Sequence, residues 1–291
     1  MIREFAPAKI NLALHVTGRR ADGYHLLDSI TAFAAAGDAV HVEKAAGFSL
    51  RADGPFAAGL PLDESNLALR AAREAVTRWP ALFAPVRIRL EKNLPVASGM
   101  GGGSADAAAV LRAMTRLHDV APPRDELMRL ALELGADVPV CLQGRACRMR
   151  GVGEQLEPLA DFPSLPAVLV NPGVAVSTAE VFARLGLAPG GSGGAPLPCE
   201  PIPVRAADLA AWLAGARNDL QPPARALHAD IGACLDALRA CEDVRLARMS
   251  GSGATCFALF PGDDAARRAA ARLRREHPRW WIRETTLGNI V

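Results

Sequence analysis

The chain has 291 residues, half of them hydrophobic, and is long enough for one large domain or two closely packed lobes with a sizeable core. Its formal net charge of +2 is close to neutral and argues against a nucleic-acid-binding protein. No apolar run approaches the roughly 20 residues of a membrane span, and the N-terminal segment lacks the pattern of a signal peptide, so neither a membrane nor a nucleic acid is an expected partner.

The first half of the chain alternates between strand and helix patterns. Strands are predicted where apolar and polar residues alternate, at residues 8–17, 39–44 and 86–92. The first strand is expected to bury one face and to carry Lys9 and Asn11 on the other. Helices are predicted at residues 65–79, 104–118 and 125–134, with Ser65 as candidate N-cap of the first and Gly135 ending the third.

The second half mixes the same two patterns without a regular βαβ repeat. Strands, two of them in a hairpin, are predicted at residues 167–170, 244–249, 255–260 and 280–285. Helices are predicted at residues 178–185, 206–216, 222–241 and 263–277. Residues 186–203 are rich in glycine, proline and serine and are expected to form a flexible loop. Together these patterns predict an α+β fold of two lobes, residues 1–158 and residues 159–291.

The cysteines do not follow the spacing of a zinc site or of a C-x-x-C pair. There are six of them: Cys141, Cys147, Cys199, Cys234, Cys241 and Cys256. In a chain of this length the favoured interpretation is free thiols, buried or half-buried, in a reducing cytosol. We therefore expect a cytoplasmic protein.

The most informative segment is the glycine-rich stretch LPVASGMGGGSADAAAVL at residues 94–111, which lies between a predicted strand and a predicted helix. Its glycines leave backbone N–H groups open to a ligand, and Ser104 begins a helix whose N-terminus attracts anions. A flexible turn before a capped helix is the simpler alternative. The strand–loop–helix order favours a phosphate-binding loop at residues 95–105 instead.

Two common phosphate-binding motifs do not fit this loop. A P-loop requires G-x-x-x-x-G-K-[ST], and no lysine follows these glycines. The dinucleotide fingerprint G-x-G-x-x-G, counted from Gly99, needs a glycine where Ser104 stands, and no second parallel βαβ unit accompanies it. The loop is therefore expected to hold phosphate in another way.

Three blocks of the sequence point to one family: PAKINLALHVTGRRADGYH at residues 7–25, LPVASGMGGGSADAA at residues 94–108 and MSGSGATCFA at residues 249–258. In this order and spacing they resemble the GHMP kinase superfamily. The first block, with its GRRADGYH ending, is similar to the members that phosphorylate a cytidine diphosphate derivative of methylerythritol in the non-mevalonate isoprenoid pathway. Shorter matches extend the resemblance over most of the chain except residues 186–216.

The resemblance implies a two-lobe α+β kinase with its active site in the cleft between the lobes, ATP as co-substrate, and Mg²⁺. It implies phosphoryl transfer to the 2-hydroxyl of the methylerythritol unit, with Lys9 and Asp137 as the catalytic pair. The residues that match substrate contacts are Asn11, Tyr24, His25, Thr178 and Phe182. Those that match the nucleotide site are Asn66, near the adenine, and Pro95, Val96, Ala97, Ser98, Gly99, Met100, Gly101, Gly102, Gly103, Ser104 and Ala105.

Some of these residues also have plainer interpretations. Asp137 follows a helix end and precedes Pro139, so it suits either the N-cap of a short helix or a group that accepts or orients the proton of the substrate hydroxyl. Tyr24 and His25 suit either ordinary half-buried or surface positions or a nucleoside site. In such a site Tyr24 and Phe182 sandwich a pyrimidine ring and His25 hydrogen-bonds its edge.

Three other functions compete with this one. A GHMP kinase for another small alcohol would share the glycine loop but not the GRRADGYH block. A non-catalytic nucleotide-binding module would have no need of both Lys9 and Asp137. A serine or cysteine hydrolase is disfavoured because Ser104 and Cys256 have no nearby motif that supplies a His–Asp pair. The sequence is compatible with either a monomer or a homodimer.

Overall fold

A turn at Asp22 and Gly23 joins the two longest strands of the structure, a computed structural model that describes residues 1–290. These strands, β1 (Ile2–Arg19) and β2 (His25–Lys44), pair antiparallel along most of their length, with Lys9 opposite Phe33. The other strands are β3 (Ser49–Asp53), β4 (Val86–Glu91), β5 (Cys147–Gly151), β6 (Gln155–Pro158), β7 (Leu165–Asn171), β8 (Leu246–Met249), β9 (Cys256–Leu259) and β10 (Trp281–Gly288).

Helices pack on this framework through faces rich in alanine and leucine. They are α1 (Leu67–Arg78), α2 (Gly102–His118), α3 (Arg124–Leu134), α4 (Val138–Gln143), α5 (Thr178–Ala183), α6 (Ala206–Ala214), α7 (Gln221–Leu227), α8 (Ala229–Arg239) and α9 (Asp263–Glu276). Helix α2 lies against β1 and β2, whereas α9 lies against β7 and β10. Gly135 ends α3, as predicted.

Over the described residues, ten strands form one sheet in which β2 is the central member. The strand order is β3-β4-β2-β10-β7-β9-β8, while β1 and β5 also pair with β2, and β6 pairs with β5. All of these pairs are antiparallel except β3 with β4. The α+β prediction is thereby confirmed. Because β10 pairs with β2, the two halves of the chain share one sheet.

Buried apolar residues form three clusters. One lies in the N-terminal half around α1, α2 and β4, and a second lies in the C-terminal half around α8 and α9. The second cluster also takes in Leu14 and Val16 of β1. The third joins Ile10 of β1 to Leu165 and Phe257 of the C-terminal half. Each half therefore has its own core, with β1 between them; a domain boundary after residue 158 stays a prediction.

Strand β1 differs from the sequence-based expectation because both of its faces are buried. Lys9 is 4% exposed and Asn11 is 1% exposed. Helix α2 covers part of the strand, and the segment around Asn218 bridges it at Leu14. A lysine and an asparagine in such a place need polar partners, since unpaired buried polar groups are costly.

Three predicted boundaries were wrong. Asn66, not Ser65, caps α1, and its side chain accepts a hydrogen bond from the Ala68 N–H at 3.0 Å. Helix α2 begins at Gly102 rather than at Ser104. The helix predicted at residues 222–241 is two helices, α7 and α8, because the backbone of His228 between them is extended.

The segment 186–203 is irregular, as predicted, but it is fastened to the sheet. The Gly193 N–H donates to the Thr17 carbonyl at 3.0 Å. The Arg148 guanidinium donates to the Leu197 carbonyl at 3.0 Å, and Leu197 itself is buried. These contacts hold the loop against β1 and β5.

Candidate active site

A cavity of about 480 Å³ opens where the glycine loop, β1 and the first turns of α2 and α5 meet. The start of α4 and the loop at residues 250–255, which joins β8 to β9, complete its wall. Among the predicted site residues, those that line it are Lys9, Asn11, Asn66, Pro95, Val96, Ala97, Ser98, Gly99, Gly101, Gly102, Gly103, Ser104, Asp137, Thr178 and Phe182. The cavity therefore gathers most of the predicted site from separate parts of the chain.

The glycine loop forms the part of the wall that suits phosphate. Gly101 takes a left-handed conformation at the N-cap of α2 and provides no side chain to cap the helix. The N–H groups of the first turn are thus left to solvent or to a ligand, at the positive end of the helix dipole. A Cβ at Gly99 would collide with the backbone of Ser250 and Gly253. Only glycine permits this close approach.

The loop at residues 250–255 holds the glycine loop in place. The Ser250 hydroxyl donates to the Gly99 carbonyl at 3.0 Å and accepts from the Asn11 N–H at 3.1 Å. The Thr255 N–H donates to the Ser98 carbonyl at 3.0 Å. These bonds lock β1 and the C-terminal hairpin onto the glycine loop.

Lys9 and Asp137 face each other across the cavity wall. The Lys9 N–H donates to the Met100 carbonyl at 2.9 Å, which fixes the lysine beside the glycine loop. Its Nζ lies 2.7 Å from Asp137 Oδ2. Asp137 occupies the N-cap position of α4, as predicted, yet its side chain makes no capping hydrogen bond to that helix. The carboxylate is therefore directed to the lysine rather than to the helix N-terminus.

Asn11 offers an unused acceptor at the same wall. Its amide nitrogen donates to Ser29 Oγ at 2.8 Å and to Thr31 Oγ1 at 3.3 Å. Its Oδ1 is buried and has no hydrogen-bond partner within residues 1–290. A Cβ at Gly251, another wall residue, would lie 3.5 Å from this oxygen. Asn11 is thus suited to accept a hydrogen bond from a hydroxyl group of a ligand.

An aromatic contact lies at the α5 side of the cavity, where Phe182 lines the wall and His25 does not. The rings of His25 and Phe182 have centroids 4.6 Å apart and are tilted by 32°. The pKa of His25 is lowered by burial and, to a smaller extent, by Arg19, and its buried Nε2 has no partner in the described chain. Tyr24 is 63% exposed and does not line the cavity. Of the three aromatic residues predicted for the substrate site, His25 and Phe182 are therefore in contact, and Tyr24 is exposed.

Two further predicted residues have structural partners already. The Thr178 hydroxyl lies 2.8 Å from the Ser252 hydroxyl. Asn66 uses its oxygen to cap α1 and donates from its amide nitrogen to the Pro61 carbonyl at 2.9 Å. Asn66 consequently shapes the apolar end of the cavity, which is walled by Leu60, Pro61, Leu67, Leu90 and Val96.

Met100 and Ala105 belong to the glycine loop but not to the wall. Met100 is fully buried, and Ala105 is 1% exposed. Met100 contributes its backbone carbonyl to Lys9, and its side chain packs in the apolar cluster shared by the two halves. Their side chains are buried and do not line the cavity.

A buried charge cluster at the back of the loop was not predicted from the sequence. Lys92 Nζ donates to Asp38 Oδ2 at 2.5 Å and to Asp106 Oδ2 at 2.7 Å. Lys92 and Asp106 also line the cavity. One signal was available: Asp106 is an acidic residue within the alanine-rich buried face of α2.

The described residues contain neither a metal-binding group of side chains nor a membrane-spanning helix. Within residues 1–290 no group of three or more histidine, cysteine or acidic side chains is placed to hold a metal ion. All six cysteines are free; five are buried, and Cys199 is exposed, which confirms the free-thiol prediction in the main. In that same part of the chain, every helix is too short or too polar to cross a membrane.

Comparison with known proteins gives a consistent result. Residues 66–145 match the family described as GHMP kinases N terminal domain, and residues 204–279 match GHMP kinases C terminal. A 4-diphosphocytidyl-2-C-methyl-D-erythritol kinase of Parvibaculum lavamentivorans is 49% identical, with 99% of this chain and 98% of that protein covered. Its namesake in Cereibacter sphaeroides strain ATCC 17029 is 53% identical, with 97% and 98% covered.

A solved structure agrees with these relatives. The crystal structure of a 4-(cytidine 5'-diphospho)-2C-methyl-D-erythritol kinase is similar to this chain with a TM-score of 0.79. The two sequences are 40% identical, and the match covers 99% of each chain. Fold and sequence thus point to the same group of proteins.

Proposed function

Because this chain belongs to the GHMP kinase family, alongside the 4-diphosphocytidyl-2-C-methyl-D-erythritol kinases, we propose that it transfers the γ-phosphoryl group of ATP to the 2-hydroxyl of 4-diphosphocytidyl-2-C-methyl-D-erythritol. It is a phosphotransferase with an alcohol group as acceptor. The proposed reaction is a step of the non-mevalonate route to isoprenoids.

One observation carries the proposal more than any other. The Lys9–Asp137 ion pair, 2.7 Å long, shares a cavity with the unobstructed N-terminus of α2. An anion-binding helix N-terminus suits the phosphates of a nucleotide. A lysine and a carboxylate beside it suit the activation of a hydroxyl group. The combination is that expected of a kinase for a small alcohol.

ATP fits the wall formed by the glycine loop and α1. The N–H groups of Gly102, Gly103 and Ser104 begin α2 and are available to hold phosphate oxygens. The apolar end of the cavity beside Asn66 is suited to the adenine, with Asn66 acting as a structural support rather than as a hydrogen-bonding partner. The phosphates would then extend towards Lys9.

The acceptor fits the opposite side of the same cavity. In the proposed complex, the cytosine lies between Tyr24 and Phe182, and the unpartnered Nε2 of His25 bonds its edge. The free Oδ1 of Asn11 accepts from a hydroxyl of the methylerythritol unit. Thr178, at the N-terminus of α5, completes the proposed acceptor site.

Lys9 and Asp137 would act on the acceptor hydroxyl. Asp137 accepts or orients its proton, and the Lys9 ammonium stabilises the negative charge that develops on the acceptor oxygen and the transferring group. Both side chains are held before substrate arrives, since Lys9 is anchored to Met100 and paired with Asp137. Little reorganisation is needed at the moment of transfer.

Magnesium is proposed to enter bound to the triphosphate. The described residues have no acidic cluster for a dedicated metal site, whereas Mg²⁺ in phosphotransferases is commonly held by one or two carboxylates together with substrate phosphates and water. Bound Mg²⁺ supplies charge neutralisation on the phosphates. The cytoplasmic location and the choice between a monomer and a homodimer stay predictions.

Phosphoryl transfer to a panel of alcohols tests the proposal. The panel holds ATP constant and compares 4-diphosphocytidyl-2-C-methyl-D-erythritol with homoserine, mevalonate and galactose, and phosphorus NMR identifies the position of the new phosphate. Preferred transfer to the 2-hydroxyl of the cytidylyl acceptor is expected. Preference for another alcohol would indicate a different GHMP kinase, and the absence of ATP turnover with all of them would indicate a non-catalytic nucleotide-binding module.

A further inference from the structure

The buried cluster of Asp38, Lys92 and Asp106 lies behind the glycine loop and takes no part in the proposed chemistry. The Lys92 ammonium reaches Asp38 at 2.5 Å and Asp106 at 2.7 Å, and no side chain of the three is more than 4% exposed. The cluster's position beside the cavity raises the question of what charge it carries.

Two carboxylates share one ammonium here. With all three groups ionised, the cluster would carry one net negative charge out of contact with water. Burial of such a charge costs far more than burial of a neutral carboxylic acid. Carboxylates that share one site therefore do not both ionise readily. One aspartate is expected to retain a proton.

The hydrogen bonds identify which aspartate it is. Asp38 Oδ1 accepts from the N–H groups of Asn93 and Leu94 at 2.6 and 2.8 Å, and its Oδ2 accepts from Lys92. Both carboxyl oxygens of Asp38 therefore have hydrogen-bond donors. Asp106 Oδ1 is buried and has no partner among residues 1–290. Burial raises the pKa of Asp106 to about 7, against the opposing effect of Lys92.

Charged and titratable side chains on the other elements around α2 leave this balance unchanged. Lys9 of β1 and Asp137, which precedes α4, pair with each other. The Cys141 thiol of α4 stays neutral because burial raises its pKa to about 12. On α1, the Arg70 guanidinium donates to a backbone carbonyl. Asp38 and Lys92 are therefore the charges that govern the protonation of Asp106.

The cluster touches the place where the proposed nucleotide phosphates lie. A Cβ at Gly102, the first residue of α2, would lie 3.1 Å from Lys92 Nζ and 3.8 Å from Asp38 Oδ2. An additional negative charge so close to the helix N-terminus would repel phosphate. A neutral Asp106 leaves Asp38 and Lys92 balanced.

We propose that Asp106 is a positioning residue that holds a proton, so that the buried cluster of Asp38, Lys92 and Asp106 carries no net negative charge when a nucleoside diphosphate or triphosphate binds. This inference rests on the proposed nucleotide site. It follows that nucleotide binding favours the protonated form of Asp106, and that affinity falls as Asp106 ionises.

The test is the affinity for ADP between about pH 6 and about pH 8.5, measured by calorimetry. Wild type is compared with Asp106→Asn, which mimics the neutral acid, and with Asp119→Asn, the same change at the exposed C-cap of α2. ADP's own titration affects all three proteins alike. Wild type and Asp119→Asn are expected to lose affinity on the order of tenfold relative to Asp106→Asn as the pH rises.

Identical pH profiles for wild type and Asp106→Asn would overturn this inference and leave the nucleotide site intact. A wild-type protein that binds no ADP at any pH would instead overturn the proposed function, and this inference with it.

A second measurement needs neither ADP nor a folded variant. Carbon NMR of the wild-type protein labelled in its aspartate carboxyl groups is expected to show one carboxyl that titrates near pH 7. Titration of every aspartate below about pH 5 would overturn the inference, because an aspartate near its ordinary pKa carries no proton at neutral pH.

Discussion

The Lys9 ammonium lies 2.7 Å from the Asp137 carboxylate, although Asp137 stands at the N-cap position of α4, where a carboxylate would ordinarily bond the helix N–H groups. The side chain has been drawn away from the helix to the lysine. Its loss should therefore affect chemistry more than folding.

Asp137→Asn keeps the shape of the side chain and removes its charge. We expect the protein to fold with a lowered melting temperature, because buried Lys9 loses its charge partner. ATP affinity should be unchanged and kcat lowered by ~10²–10⁴-fold, the range typical of a lost general base. Steady-state kinetics with a thermal melt of the same sample make the check. Near-normal turnover would show that the residue serves only as part of the α4 N-terminus.

Lys9→Ala should also lower kcat, and its effect on kcat should not be additive with that of Asp137→Asn. Because both groups act on one hydroxyl, the double variant of Lys9 and Asp137 should lose much less than the product of the two single losses. The double-mutant cycle in kcat measures this coupling. Multiplicative losses would mean that the two residues work independently.

Gly102→Val should weaken ATP binding by roughly tenfold or more, since a side chain there obstructs the phosphate N–H donors. It should also lower the melting temperature, because the new side chain meets buried Lys92. Equilibrium binding of ATP is the measurement. Gly47→Val is the matched control, because its Cβ enters open space. Wild-type affinity in a folded Gly102→Val protein would contradict the phosphate-binding role of the loop.

Tyr24→Ala should weaken acceptor binding by on the order of 1–3 kcal/mol, the scale of a lost base–aromatic stack, and should leave ATP affinity almost unchanged. The exposed ring is free to close over a bound cytosine. Tyr24→Phe, which keeps the ring, is the control and should behave as wild type. Inhibition by free cytidine and uridine adds a specificity check: equal inhibition would refute the role assigned to His25.

The acceptor affinity should be insensitive to pH near neutrality. Burial, assisted by Arg19, lowers the pKa of His25 below its ordinary value of 6.5, so the imidazole stays neutral at and above that pH. We expect KM for the acceptor to rise only at more acidic pH, where His25 gains a proton and loses its acceptor nitrogen. His25→Gln should remove that acidic rise. A KM that already climbs between about pH 8 and about pH 7 would contradict the lowered pKa.

Activity should depend on Mg²⁺. The described residues provide backbone donors for phosphate but no group of three or more acidic, histidine or cysteine side chains placed to hold a metal ion. We therefore expect the charge that develops on the phosphoryl group to need a metal ion from solution. Excess EDTA should abolish turnover, and added Mg²⁺ should restore it. Full activity in EDTA would refute this requirement.

Local sequence patterns located most of the secondary structure. The alternation at residues 86–92 placed Val86, Ile88 and Leu90 inward, and all three are buried. Strands β3, β5 and β6 were not predicted from the sequence, because they are short and are stabilised by pairing. Strand β3 pairs with β4, β5 pairs with β2, and β6 pairs with β5. Pairing between distant segments is not visible in local periodicity.

By itself the sequence determined the α+β class, the position of the glycine loop and most of the residues that line the cavity. Local hydrophobic patterning predicts the fold class, and the resemblance to GHMP kinases implies the site residues. The tertiary structure alone decided the contacts among them: the Lys9–Asp137 pair, the His25–Phe182 contact and the burial of Asp106 beside Lys92. The first two join residues far apart in the chain. Their distances depend on strand register and helix packing, which the whole fold sets at once.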